Sequence, residues 1–393
     1  MGKKHAAIAP ERPRGRIFFS ISLCAALAAG AVWFAMTPVV WIFGAKNGDF
    51  LITVAPLLED PPEHPRLQLL RRRERLDQVV ASGRTEFEKI ILLRRWVHGL
   101  WSFHEKPFYY PPWDAEEIID LARRHGNYGF CAQYSIVFVQ ACRALGMHAR
   151  YVDIGHFLTD VWSNEYNHWV VMDPTNDIHY EMDGEPLDGL SLNLAAEKGR
   201  IKGIQKVSSD GSRTAATPED IAGYQNFSLL ISNNQLSDPV LIQKNGTKMR
   251  LGLERDYHDY PMVGRDNIGY GSLFLAWQGP QGRDDGLGKL KSSDRDDFDD
   301  AFNQTIIFVI RKNPLKGTLK LKLIKEQAPG FQEFVLTHNG VSAGSTERDE
   351  VVLKNLHPGL NIFTARIRTR YGWLGRESSL RFFYKPNLFK RRP

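Results

Sequence analysis

Apolar positions recur along this chain in three rhythms. Residues 17–43 run almost unbroken as apolar side chains with no charge among them, a length that spans a bilayer as a helix. From Thr85 the spacing becomes helical. Phe87, Ile90, Ile91, Val97 and Leu100 share one face, opened by Thr85-Glu86-Phe87-Glu88 in the manner of a capping box. Residues 115–124 read as a second helix. Ile136, Val137, Val139, Ala141 and Leu145 mark a third after Cys131. The rhythm then shortens to alternation. Residues 157–162 and 168–172, joined by a turn at 164–167, predict an antiparallel hairpin. From Thr305 onward strand follows strand: 306–310, 319–324 and 334–336, with Asn339-Gly340 as a hairpin-turn signal.

These rhythms predict an α+β chain with six parts. They are a basic cytoplasmic tail at 1–16, a transmembrane anchor at 17–43 and a juxtamembrane connector at 47–84. An α+β domain follows at 85–205, then a partly β intermediate region at 206–300 and an all-β sandwich at 301–393. Pro56, Pro61, Pro62 and Pro65 mark the connector. Lys3, Lys4, Arg12, Arg14 and Arg16 before the apolar run put that end in the cytoplasm by the positive-inside rule. Everything after Lys46 is then expected on the extracytoplasmic side. The alternative is a cleaved signal peptide, for which residues 25–31 offer small side chains. A lipidated Cys24 is disfavoured by the bulky Leu23 before it.

Composition adds exclusions. The 393 residues are 42% hydrophobic and 24% charged, ordinary values for a chain with a sizeable core. The net charge of +6 gathers at the two ends, and no nucleic-acid motif accompanies it or the Arg71-Arg72-Arg73 run, so no nucleic-acid partner is expected. The acidic tract at 294–300 lacks the glycine and ligand spacing of a calcium loop and reads as solvated. Three cysteines are present: Cys24, Cys131 and Cys142. The last two, on one helix, stand about 16 Å apart by helical rise, too far for a disulfide. CxxC and HExxH spacings are absent, so neither a metal site nor a cofactor is expected.

The candidate chemistry lies between Cys131 and Asp173. Gly126, Asn127 and Gly129 break regular structure before Cys131, which puts the thiol at a helix N-terminus. There the macrodipole favours a thiolate and free N–H groups can receive an oxyanion. The plain alternative is a buried, inert cysteine. His156 opens the first strand of the hairpin after Gly155, and Asp173 closes the second before Pro174. Pairing of the strand ends would make them cross-strand neighbours. A thiol, an imidazole and an orienting carboxylate are the parts of a nucleophilic site. His168 lies nearer the turn, where a packing role fits better, and Asp153 and Asp177 are lesser acid candidates. The backbone N–H of Cys131 is one oxyanion donor; Trp101, Asn127 and His125 are side-chain candidates, Trp101 being more often what a core would bury. The loop Tyr109-Tyr110-Pro111-Pro112-Trp113 could wall a cleft or be plain surface.

The order of these residues and the segments A-L-G-M-H-A-R-Y-V, H-F-L-T-D-V-W and H-W-V-V-M-D-P-T resemble the core of the transglutaminase-like superfamily, within the papain-like cysteine enzymes. The resemblance covers roughly residues 85–180 and implies Cys131 as nucleophile, His156 as general base and acid, and Asp173 as its orienting group. Asp160 stands where that family often has glutamate, at a position not expected to be catalytic. The segment L-H-P-G-L-N-I-F-T-A-R-I-R-T-R-Y-G-W-L-G resembles the last strands of bacterial immunoglobulin-like sandwiches. The implied protein is a membrane-anchored, extracytoplasmic cysteine enzyme that cleaves or transfers a peptide or glutamine-type amide through a thioester. Its sandwich could meet envelope carbohydrate or protein. The alternative is a non-catalytic envelope scaffold, or a polysaccharide-associated protein, that keeps the fold for binding.

Overall fold

The helix that begins at Cys131 is buried along its length, with every side chain from Ala132 to Ala144 inside. A helix buried on all sides has to satisfy its polar groups internally. Gln140 accepts from the Ala115 N–H at 2.8 Å and donates to the Trp113 carbonyl at 2.7 Å. Arg143 donates to the carbonyls of Asp60 and Met147. The structure is a computed structural model describing residues 29–30, 32–47, 58–103, 113–125, 129–230, 232–237, 241–244, 247–250, 274–278, 290–299 and 302–387. The expected basic tail, residues 17–28 of the apolar run, residues 109–112 of the aromatic loop and Asn127 lie outside them.

The chain divides into two compact units, Phe50–Phe302 and Met1–Asp49 with Asn303–Pro393. In the first unit the cysteine helix, Cys131–Ala144, packs against helices Pro65–Arg73, Glu86–His98 and Ala115–His125. On its other side it meets a sheet. Along that sheet the strands run Leu290–Ser292, Phe274–Trp277, Ser228–Leu230, Ala149–Asp153, Phe157–Ser163, His168–Asp173, Ile178–Met182, Ile204–Ser208 and Arg213–Ala215. All adjacent pairs are antiparallel except Phe274–Trp277 with Leu290–Ser292. Alternation sorts the side chains. Tyr151, Phe157, Val161, Val170 and Met172 join the helical core, while Val152, Leu158, Val171 and Tyr180 face a second core with Leu192, Tyr224 and Phe227.

Two expected boundaries change. Residues 58–84 are not a loose connector: Leu67, Leu70 and Leu76 are wholly buried in the helical core. Within 206–300, expected as a region apart, strands Arg213–Ala215, Ser228–Leu230, Phe274–Trp277 and Leu290–Ser292 extend the central sheet, each too short to be distinctive in sequence.

In the second unit, a five-stranded antiparallel sheet runs Val39–Asn47, Ser378–Lys385, Gly359–Thr369, Phe331–His338, Val341–Thr346. A three-stranded one runs Gln304–Asn313, Thr318–Glu326, Glu350–Leu353. Both feed one core that includes Ile307, Leu321, Phe334, Phe363 and Phe382. Asn339 and Gly340 form the expected two-residue turn with φ of 53° and 78°.

Residues 39–43, expected as the end of the anchor, are strand instead. Val40 and Ile42 turn into the core while Trp41 and Phe43 are exposed. The apolar run continues unbroken into this strand, so hydropathy alone gave no boundary. No helix among the described residues is long and apolar enough to cross a membrane.

A close approach holds this unit shut. A Cβ built on Gly375 would fall 1.9 Å from the Asn303 carbonyl oxygen, and the Gly375 N–H donates to Ile367 O at 2.8 Å. Gly375→Ala is therefore expected to lower the unfolding free energy of this unit by about 1–3 kcal/mol. A denaturant titration would show a lower midpoint for its transition, with the transition of the other unit unmoved.

Candidate active site

Cys131 is the first residue of its helix, partly exposed. The turn into it needs glycine. Gly129 has φ +107°, and a Cβ there would lie 3.0 Å from Gln133 Cβ and 3.2 Å from Trp101 Nε1. Gln133 reaches back to accept from the Phe130 N–H at 3.0 Å, which fixes the chain just ahead of the thiol. The first N–H groups of the helix have no partner within it, and its dipole is positive at this end.

His156 lies just before strand Phe157–Ser163, after Gly155 at φ +88°. The ladder with His168–Asp173 ends at Thr159 opposite Met172, so His156 and Asp173 both lie past the last pair rather than directly across from one another. They still meet: His156 Nε2 is 3.1 Å from Asp173 Oδ2. The Cys131 side chain also acts on His156 and favours its protonated form. Burial alone would lower the imidazole's affinity for a proton. The bonds to Asp173 and Cys131 and their negative charge outweigh it, raising His156 to about 10.

Asp173 is held by four bonds. Its Oδ1 accepts from the N–H groups of Thr175 at 2.9 Å and Asn176 at 3.1 Å, and its Oδ2 from Asn176 Nδ2 at 2.7 Å and His156. Burial pushes this carboxyl up, but the hydrogen bond and charge of His156 with the Asn176 donors hold it below its ordinary value.

Two supports carried little sequence signal. Arg94, wholly buried on helix Glu86–His98, donates from Nε to Asp177 Oδ1 at 2.9 Å and meets His179 Nδ1 at 2.9 Å. His98 Nδ1 meets the Thr175 carbonyl at 3.0 Å. Together they clamp the turn at 174–177 that grips Asp173. His179, whose other nitrogen meets Glu181 at 2.9 Å, is pushed down to about 4 by burial and the Arg94 charge, so it accepts from Arg94 as a neutral ring. A helical residue spaced correctly for the core but charged was the one available hint. Arg94→Lys cannot span these partners. It is expected to lower turnover about tenfold to a hundredfold through misplacement of Asp173, with KM little changed; steady-state kinetics would separate the two.

Trp101 is 6% exposed, and its Nε1–H finds no hydrogen-bond partner among the described residues. It lies beside Gly129, at the start of the cysteine helix. Asn127 and the His125 side chain lie outside the described residues.

The other candidates are placed elsewhere. His168 pairs opposite Ser163, at the far end of its strand from Asp173. Asp153 accepts from the Gly155 N–H at 2.8 Å. Asp160 is buried against Arg150 at 3.0 Å, and that guanidinium lies 4.0 Å over the Trp169 ring, a packing arrangement. Cys142 is fully buried and pushed upward by desolvation, which leaves it inert. A cavity of about 660 Å³ opens beside His156 and Asp173 and is lined also by Tyr180, Lys206, Asp220 and Tyr224.

This is an α+β unit in which a helix-opening cysteine, a histidine and a buried aspartate are linked in series. Residues 73–174 match the Transglutaminase-like superfamily, so the chain carries a transglutaminase-like domain. Among solved structures, the crystal structure of red sea bream transglutaminase is similar at 13% identity with a TM-score of 0.24. That similarity covers 77% of this chain but only 56% of the other, and at such a score the two folds are not equated. No curated protein matches the chain.

Proposed function

We propose that the Phe50–Phe302 unit is a cysteine-dependent acyl-transfer enzyme acting on a peptide or glutamine-type amide. The observation that carries this is His156, bonded to Asp173 at 3.1 Å and acted on by the Cys131 side chain. An imidazole raised to about 10 stays cationic at neutral pH, and a cation beside a thiol favours the thiolate. Sulfur attacks the carbonyl carbon; the oxygen takes the developing charge toward the helix-start N–H groups and the Trp101 Nε1–H. As the tetrahedral centre collapses, the C–N bond breaks and His156 delivers its proton to the departing amine. Water or an amine then gives up a proton to His156, attacks the thioester and frees Cys131. Asp173 keeps Nε2 engaged throughout, so Nδ1 always faces the reacting atoms. We place the unit on the extracytoplasmic side of a membrane, anchored by the apolar residues that begin at Ile17, a reading supported by the basic residues before them.

The test is the alkylation rate of Cys131 from pH 5 to 9 in the full chain, with Cys24 and Cys142 changed to Ala. An unassisted thiol reacts only as pH approaches about 8.5. Alkylation that stays fast at pH 6, and loses that acid limb in His156→Ala and Asp173→Ala, is expected. A single rise near pH 8.5, unaltered by either variant, would leave the fold as a binding scaffold.

A further inference from the structure

The Val39–Asn47 strand ties the apolar run to the second unit without a linker. Residues 32–36 are helical, Thr37 closes the turn with its N–H on Trp33 O at 3.0 Å, and after Pro38 the strand begins. Lys385, at the end of the last strand, caps that helical end. Its Nζ donates to the Phe34 carbonyl and to the Thr37 carbonyl at 2.5 Å, and it lies 4.6 Å over the Phe34 ring. A cation at a helix C-terminus is favourable.

Around it lies an apolar surface. Trp33 and Phe34 are exposed on the helical segment, and Trp41 and Phe43 on the strand that follows. The register places Trp41 beside Phe383, with rings 5.7 Å apart, and Phe383 beside exposed Leu360. The row therefore continues across three strands at the Lys385 end of the sheet. Lys390, Arg391 and Arg392 follow Lys385 in sequence.

We propose that this end of the five-stranded sheet is a membrane-contact surface seated in the headgroup region of a phospholipid bilayer. Large amphipathic aromatics with lysine are the composition favoured at that depth. A continuous apolar run enters the sheet there, and the basic residues after Lys385 suit phosphate headgroups. The proposal rests on the reading that an apolar membrane anchor begins at Ile17.

The sheet supplies its own control. Trp373 lies in the turn beyond Ser378, which pairs with Asn47 at the opposite end from Lys385, and it is 45% exposed against 40% for Trp41. Without a bilayer contact the two indoles oxidise alike. The full chain would be reconstituted in phosphatidylglycerol–phosphatidylcholine vesicles, exposed to hydroxyl radicals and read by mass spectrometry; a parallel sample would be washed with alkaline carbonate. The expected result is a chain that resists the wash, with Trp41 oxidised about fivefold or more below Trp373. Retention with equal oxidation overturns the membrane seat and leaves the anchor standing. Release by carbonate overturns the anchor, and the seat with it. Protection that vanishes at one chain per vesicle overturns the proposal in favour of a second copy covering the face.

Discussion

Cys131→Ser is expected to lower amide cleavage or transfer on the order of 10⁴-fold or more, the scale seen when the nucleophile of a linked set is removed. Serine keeps the shape and a hydrogen bond to His156, but its hydroxyl does not ionise near neutral pH, so the first attack fails. The variant should keep its far-UV circular dichroism and melting transitions, because the residue is partly exposed and opens a helix held by other contacts. Release of the amine from a glutamine-containing peptide is the assay. A Ser variant that matches the parent would sink the acyl-transfer reading, whatever the fold.

Asp173→Asn carries the second largest effect. Oδ1 accepts from two backbone N–H groups and so keeps its place as the amide oxygen. The new NH₂ then faces His156 Nε2 and Asn176 Nδ2, where two acceptors' worth of demand existed. His156 must switch tautomer or swing away, and a loss of about 10³–10⁴-fold in turnover is expected. The pH dependence of stability gives an independent readout. Because folding raises His156 from 6.5 to about 10, its contribution is fully present below pH 6.5. It is lost progressively as pH rises through 10. Asp173, held low, contributes above its ordinary value and loses that as pH falls. The Asn variant should therefore melt with a flatter profile between pH 6.5 and 10. A slope equal to the parent's would mean that the aspartate does not hold the histidine.

Much of this site was legible because it is local. Gly129 before Cys131, Gly155 before His156 and Pro174 after Asp173 each announce the end of a regular element, and the candidate side chains stand at those ends. Periodicity also gave the helix that carries Arg94, but not Arg94 itself. Its spacing fits the core, but the partner for its charge is hidden until the turn at 174–177 is seen lying over it. Trp101 stayed ambiguous because a buried indole reads as core, and its N–H meets no acceptor among the described residues beside Gly129.

The sequence by itself determined the order of elements, the helix opened by Cys131, the His156–Asp173 hairpin and the strand-rich end, because each rests on spacing within one turn or one strand. The tertiary structure alone decided where the apolar run stops being a candidate span. It did so by pairing Val39–Asn47 with Ser378–Lys385, with Lys385 capping a carbonyl 348 positions away in sequence. It also decided that one strand from before residue 50 completes a sheet whose other four strands come after residue 302. Hydropathy records how strongly a segment avoids water; which partner relieves it is fixed only when distant strands complete one another's hydrogen bonds.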